Sequence, residues 1–176
     1  FNYDRSIEHF LPYALITAYG MTLQEAQRTV TQHLRIVHPY GTIGRLPWQK
    51  GEGADVDWGN ETPWNMTNLV GQIRTANELM RDQRALSEVR NAMLKSQRIV
   101  FMGFGYHPQN LDVLIDSTFS HNPEVLAGIF GLPVPSQSTV VRMLRRKLGL
   151  DKDDRLMVIN ARCYDLFKDY AMLLES

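Results

Sequence analysis

The chain has 176 residues, 44% of them hydrophobic, enough for a sizeable core, and its 19 basic and 19 acidic side chains cancel. That balance excludes a global electrostatic pull towards nucleic acid, and a single cysteine, Cys163, excludes an internal disulfide framework or a cysteine-held metal cluster. No apolar run approaches the roughly 18 residues that a membrane span needs, and one lone thiol suits a reducing, cytoplasmic setting.

The chain opens with Phe1-Asn-Tyr-Asp4, which reads as the end of a strand entering a helix. Further strands and loops are therefore expected to precede it, outside this chain. From Ser6 to Ala18, the residues Ile7, Phe10, Leu11, Ala14, Leu15 and Ala18 recur at helical spacing. Pro12 within that run lacks an N–H to donate, so a kink or a late start is expected there, and Gly20 can close the helix. Thr22 and Glu25 have the spacing of a capping box for a second helix through about Leu34.

Leu34-Arg-Ile-Val-His38 is strand-like in composition, and Pro39-Tyr-Gly41 breaks it. Residues 44–66 hold glycines, prolines and the tryptophans Trp48, Trp58 and Trp64 with little periodicity, which reads as an ordered surface loop. Thr67–Gln97 is helical in composition, with two helices meeting near residues 82–87. Arg98–Met102 is a buried strand, and Pro108–Ile115 a helix with proline at its first position and His107 as its cap. Gln137–Leu148 is a further helix, whose Arg142, Arg145, Arg146 and Lys147 read as a solvated basic face rather than a nucleic-acid site. A short strand at Leu156–Asn160 and a terminal helix at Cys163–Leu174, with Leu166, Phe167, Tyr170 and Leu174 inward, complete the chain.

Strands alternating with helices predict an α/β architecture with a mostly parallel sheet, whose ligands sit beyond the carboxyl ends of the strands. Phe1–Asp4, His38–Gly41 and Gly103–His107 each follow a strand-like run, so parallel neighbours would bring all three turns to one rim. Gly103-Phe104-Gly105 is not a full dinucleotide fingerprint, because Pro108 stands where a third glycine belongs. By itself it is a structural tight turn or a close approach for a ribose or phosphate. Asn2 and Asp4, two apart at a strand end, can face one side, and Asp4 can equally cap the following helix. His38 is either a general base or a hydrogen-bonded structural histidine. The tryptophans either stack on a ligand or pin the long loop to its domain.

Together the turns resemble those of the SIR2-like, sirtuin-related NAD-binding family. Asn2-Tyr-Asp4 followed by an Ile-Glu helix is similar to that family's Asn-Tyr-Asp turn. His38-Pro-Tyr-Gly-Thr-Ile43 resembles its His-Gly strand end. Gly103-Phe-Gly-Tyr-His-Pro-Gln-Asn-Leu111 and Cys163-Tyr-Asp-Leu-Phe167 resemble the corresponding turn and closing helix of the bacterial branch. Two departures stand out: Tyr40 occupies the place of the histidine directly before the glycine, and the family's glycine-rich phosphate loop is absent from residues 1–176.

The resemblance implies a Rossmann-like SIR2-type domain spanning 1–176 in part, with insertions at 21–33 and 44–66 and a helical region at 137–176. It implies NAD as ligand and cleavage of the nicotinamide–ribose bond; zinc is not expected, because the paired cysteines that hold it in deacetylase sirtuins are absent and Cys163 is the only thiol. In that assignment Asn2 orients the ribose or attacking water, Asp4 anchors the nicotinamide amide, and His38 is the residual proton acceptor. Tyr40 and Gly41 would border the ligand, with Gly103, Phe104 and Gly105 against its adenosine side. The bacterial branch further implies an anti-phage effector with a protein partner or fused domain outside this chain, while the balanced charge and the lack of a long apolar run leave no nucleic-acid or membrane partner expected. A non-catalytic module that senses NAD or an ADP-ribose derivative is the alternative, favoured by the substitution at Tyr40. A structural domain without ligand is the third.

Overall fold

The computed structural model describes residues 4–51, 53–59, 71–75, 78–79, 83–150 and 153–175. The chain divides into two compact units, Phe1–Ala85 and Leu86–Ser176.

In the first unit, α1 (Ser6–Tyr19) packs against α2 (Leu23–His33). The α1 helix starts where the Ser6 N–H donates to Asp4 Oδ1 at 3.0 Å, and it ends at Gly20, whose φ of 65° gives a left-handed cap. Pro12 does not delay the start: it sits fully buried inside the helix. The buried face of α1 is the polar one. Arg5, Glu8 and Pro12, spaced three and four residues apart, are buried, whereas Ile7 and Phe10 are 60% and 56% exposed. The capping box of α2 is complete, with the Glu25 N–H donating to Thr22 Oγ1 (3.3 Å) and the Thr22 N–H donating to Glu25 Oε2 (2.8 Å).

The strand expected at Leu34–His38 does not form. The run leaves α2 in an extended conformation at Leu34, but among the described residues it pairs with no strand, and both Leu34 (41%) and Val37 (36%) are exposed. Strand composition measures fit to a half-buried pleated surface, and this run lacks one. It closes in a turn, where the Gly41 N–H donates to the His38 carbonyl. Beyond it, the described residues of 44–59 are irregular as expected, with a bridge between Arg45 and Asp55. Trp58 lies parallel to the His9 ring of α1 at 4.6 Å, so it pins this loop to the helix; Trp64 falls outside the described residues. Residues 71–75 form a turn and a bridge rather than the expected helix. Residues 78–79 are helical, and Thr75 and Glu78 exchange hydrogen bonds in the pattern of a second capping box.

The second unit is an α/β layer structure. After α3 (Gln83–Lys95) come β1 (Arg98–Phe101), α4 (Pro108–Leu114), β2 (Glu124–Gly128), α5 (Val134–Leu148), β3 (Leu156–Ile159), α6 (Cys163–Asp169) and α7 (Ala171–Glu175). The three strands form one parallel sheet in the order β1-β2-β3, with Phe101 opposite Ala127 and Gly128 opposite Ile159. Alternate residues supply two cores, as a two-residue strand period requires. Ile99, Phe101, Val125, Ala127 and Leu156 join Leu111 and Ile115 at α4 and Val140, Leu144 and Leu148 of α5. Leu126 and Ile159 join Leu166 of α6 and Leu173 and Leu174 of α7. Each fully buried leucine contributes roughly 1.5–3 kcal/mol of burial free energy.

The sequence reading assigned no strand to 124–128, and β2 is the central one. The terminal helix is interrupted at Tyr170, and Phe167, expected inward, is 55% exposed. The α5 helix begins at Val134, three residues earlier than expected, because Pro133 and Pro135 are favourable at a helix entrance. No described helix is long and apolar enough to cross a membrane.

Candidate functional site

Each of the three parallel strands runs into a turn and then a helix, so three turns meet at the carboxyl rim of the sheet. Residues 102–105, Gly128, residues 130–132 and residues 161–163 line a cavity of about 340 Å³ at these turns. Crevices beyond the carboxyl ends of parallel strands are where α/β sheets take ligands.

Glycine is favoured at two positions in this wall. Gly103 has a φ of 59°, a left-handed conformation that L side chains rarely adopt. A Cβ at Gly128 would lie 3.1 Å from the Phe101 carbonyl oxygen, a tight contact that glycine avoids. Gly105, by contrast, has open space where its side chain would be. Phe104 packs against Phe101 (5.4 Å) and Tyr106 (5.3 Å), so it belongs to an aromatic trio as well as to the cavity wall.

Tyr106 locks the turn. It is buried at φ 53°, a left-handed conformation unusual for a tyrosine, and its hydroxyl donates to the Gly128 carbonyl at 2.9 Å. Burial pushes its phenol above the ordinary value. His107 then caps α4, its Nδ1 accepting the Gln109 N–H at 3.3 Å, with Pro108 at the first helical position as expected.

The one cation on the cavity wall among the described residues is Arg162, whose guanidinium sits 5.3 Å from the Phe130 ring centroid. Sequence reasoning missed Arg162 and Phe130, although Arg162 follows a recognised strand by the same rule that selected Gly103–Gly105.

The remaining expected residues belong to the first unit. Asn2 lies outside the described residues. Asp4 is exposed and accepts the Ser6 N–H, one residue ahead of the N-cap position, which Arg5 holds without a side-chain cap bond. His38 Nε2 lies 2.5 Å from Oε1 of the buried Glu8. Glu8 was not foreseen, because a carboxylate in a helix ordinarily faces water. Burial pulls the Arg5 guanidinium below its ordinary value while Glu8 and Asp57 pull it back up, and Arg5 Nη1 donates to the Val56 carbonyl at 2.8 Å.

Tyr40 and Gly41 form a turn, so the strand alternation expected to place residues 38 and 40 on one face does not apply. The Tyr40 carbonyl accepts the Arg74 N–H at 2.8 Å. Gly41 (φ 81°) bridges Ile73, and a Cβ there would fall 1.8 Å from the Gln72 carbonyl oxygen, so its glycine is explained by backbone contact. Of the three turns expected to share a rim, Gly103–His107 follows a strand of the sheet and His38–Gly41 does not. No protein-family model matches the chain, and no curated protein or solved structure matches it either.

Proposed function

We propose that the chain is a Rossmann-like, SIR2-related NAD-binding unit, and that the protein to which it belongs cleaves the nicotinamide–ribose bond of NAD. The observation that carries this reading is the glycine-built cavity beyond the ends of β1, β2 and β3. Backbone at Gly103 and Gly105 is open to close approach by a ribose, and Phe130 offers an aromatic face for an adenine. Arg162 supplies a planar cation suited to a phosphate oxygen.

Hydrolysis breaks the C1′–N bond through an oxocarbenium-like state. The electron pair leaves with nicotinamide, water oxygen bonds to C1′, and the water proton passes to a base. By resemblance Asn2 orients the ribose or water, Asp4 binds the carboxamide and His38 accepts the proton. The test is nicotinamide release by the intact protein: Asn2→Ala abolishes it with the fold preserved. Retained turnover in that variant removes the catalytic assignment.

A sensing role without turnover is the second reading. It is favoured by Asp4 being engaged by the Ser6 N–H, by His38 Nε2 being held on Glu8, and by Tyr40 in the family histidine's place. Saturable NAD binding by the intact wild type without nicotinamide release would select it.

A further inference from the structure

At the rim cavity, Arg162 stands between β3 and α6 and is exposed. It occupies the position that caps α6, yet its side chain makes no capping bond. Arg90, Arg98, Lys147 and Arg155 of the same unit each pair with a carboxylate, whereas Arg162 has no such partner among the described residues. Its guanidinium lies instead over the Phe130 ring, 5.3 Å from the centroid, which holds it beside the cavity. No aspartate or glutamate lines the cavity among the described residues. Asp165, in the first turn of α6, is not part of the wall.

We propose that this cavity prefers an adenosine that carries a 2′-phosphate, so that its dinucleotide is NADP rather than NAD, with Arg162 pairing with the 2′-phosphate. The proposal rests on the reading of the rim as a dinucleotide site, in which the adenosine lies against Gly103, Gly105 and Phe130. The guanidinium over Phe130 is then a neighbour of the ribose. Sites that select the unphosphorylated ribose set a carboxylate on its 2′-hydroxyl, whereas sites for the phosphorylated ribose offer an arginine. This wall has the arginine and lacks the carboxylate, which would repel a phosphate. A phosphate monoester carries about −1.5 to −2 charge near neutral pH, more than either phosphate of the pyrophosphate bridge. Its terminal oxygens also match two parallel N–H donors of a planar guanidinium, so Arg162 gains more from the 2′-phosphate than from the bridge. A cavity of about 340 Å³ suits one nucleoside half of the dinucleotide.

The test is calorimetric titration of the full 176-residue chain with NADP, NAD, adenosine 2′-monophosphate and adenosine 5′-monophosphate. NADP is expected to bind at least ~5-fold tighter than NAD, and the 2′-monophosphate to bind tighter than the 5′-monophosphate by a similar factor. Arg162→Ala is expected to weaken NADP more than NAD and to bring their affinity ratio close to one. Arg162→Lys, which keeps the charge without the planar fork, should retain part of the preference. The wild-type ratio is read without any variant, so it decides the matter even where Arg162→Ala fails to fold. NAD binding at least as tightly as NADP overturns the proposal and leaves the dinucleotide reading standing, as does an unchanged ratio in folded Arg162→Ala. Tighter binding of the 5′-monophosphate assigns Arg162 to the bridge and overturns the proposal as well. Absence of saturable binding by either dinucleotide overturns the dinucleotide reading and the proposal with it.

Discussion

The Tyr106 hydroxyl donates to the Gly128 carbonyl across 2.9 Å, tying the turn after β1 to the end of β2. Tyr106 holds a left-handed backbone conformation to do so, and it contacts Phe101 and Phe104 on the way. One wall of the rim cavity is therefore fixed by a side chain from within its own turn. Tyr106→Phe is expected to cost about 1 kcal/mol, the net worth of an ordinary hydrogen bond, in chemical denaturation. Loss of the tie should also loosen Gly103–Gly105, seen as faster amide exchange there.

The same tyrosine gives a pH dependence. Its phenol is raised in the folded state by burial, so between the ordinary value near ~10 and the raised value the unfolded chain releases a proton that the fold retains. Its contribution is complete below about pH 10 and is lost as pH rises beyond it. Wild type should thus lose stability above about pH 10 more steeply than Tyr106→Phe, measured by urea midpoints across that range.

Leu144 of α5 is completely buried in the larger core, on the face shared with Phe101, Ala127 and Leu156. Leu144→Ala should destabilise by roughly 2–5 kcal/mol, the cost of lost burial plus a residual cavity. Met172, 88% exposed, is the control: Met172→Ala should change the unfolding midpoint little.

Gly20 and Gly41 both hold positive φ, but only one is crowded. Gly20→Ala meets open space and should cost about 1–2 kcal/mol for the left-handed conformation alone. Gly41→Ala would drive Cβ to 1.8 Å from the Gln72 carbonyl oxygen, so it must displace backbone. It should destabilise clearly more than Gly20→Ala in thermal unfolding; equal effects would show that the bridge to Ile73 is dispensable.

These residues show what the sequence makes legible. Local devices with a fixed spacing were readable: the Thr22–Glu25 capping box, Gly20 as a terminator, and His107-Pro108 opening α4. Each is decided within four residues. What required distant neighbours was not. Leu34–His38 has strand composition but joins no strand among the described residues, while Val125-Leu126-Ala127, lying between Pro123 and Gly131, becomes the central strand because both its faces are covered. The face of α1 reversed for the same reason. Its apolar period is real, yet Arg5 and Glu8 are buried because Val56 and His38 receive them. In the candidate site, Gly103–Gly105 was legible as a turn after a strand. The second turn was not, because it follows a strand that the sequence did not reveal; the third follows a recognised strand, but its place beside the other two is set by the order of strands in the sheet.

The 176-residue chain contains no glycine-rich phosphate loop of the kind the resemblance calls for. Alone, it should bind NAD without measurable nicotinamide release, because a dinucleotide anchored at one end lacks the positioning that supplies much of the rate. In an active intact protein, His38→Ala should lower turnover ~100-fold or more, and Tyr40→Phe little, with the two results exchanged if Tyr40 serves as the base. Turnover by the isolated chain would overturn the first expectation.

The central claim is dinucleotide binding at the sheet's carboxyl rim, and its most direct test is NAD titration of wild type and Gly105→Leu, followed by calorimetry. Gly105 has open space beside it and an ordinary φ, so leucine there fills the cavity without straining the backbone. The account predicts saturable binding to wild type and at least ~10-fold weaker binding to an equally stable Gly105→Leu. Undiminished NAD affinity in the folded variant, or no saturable binding to wild type, would contradict it.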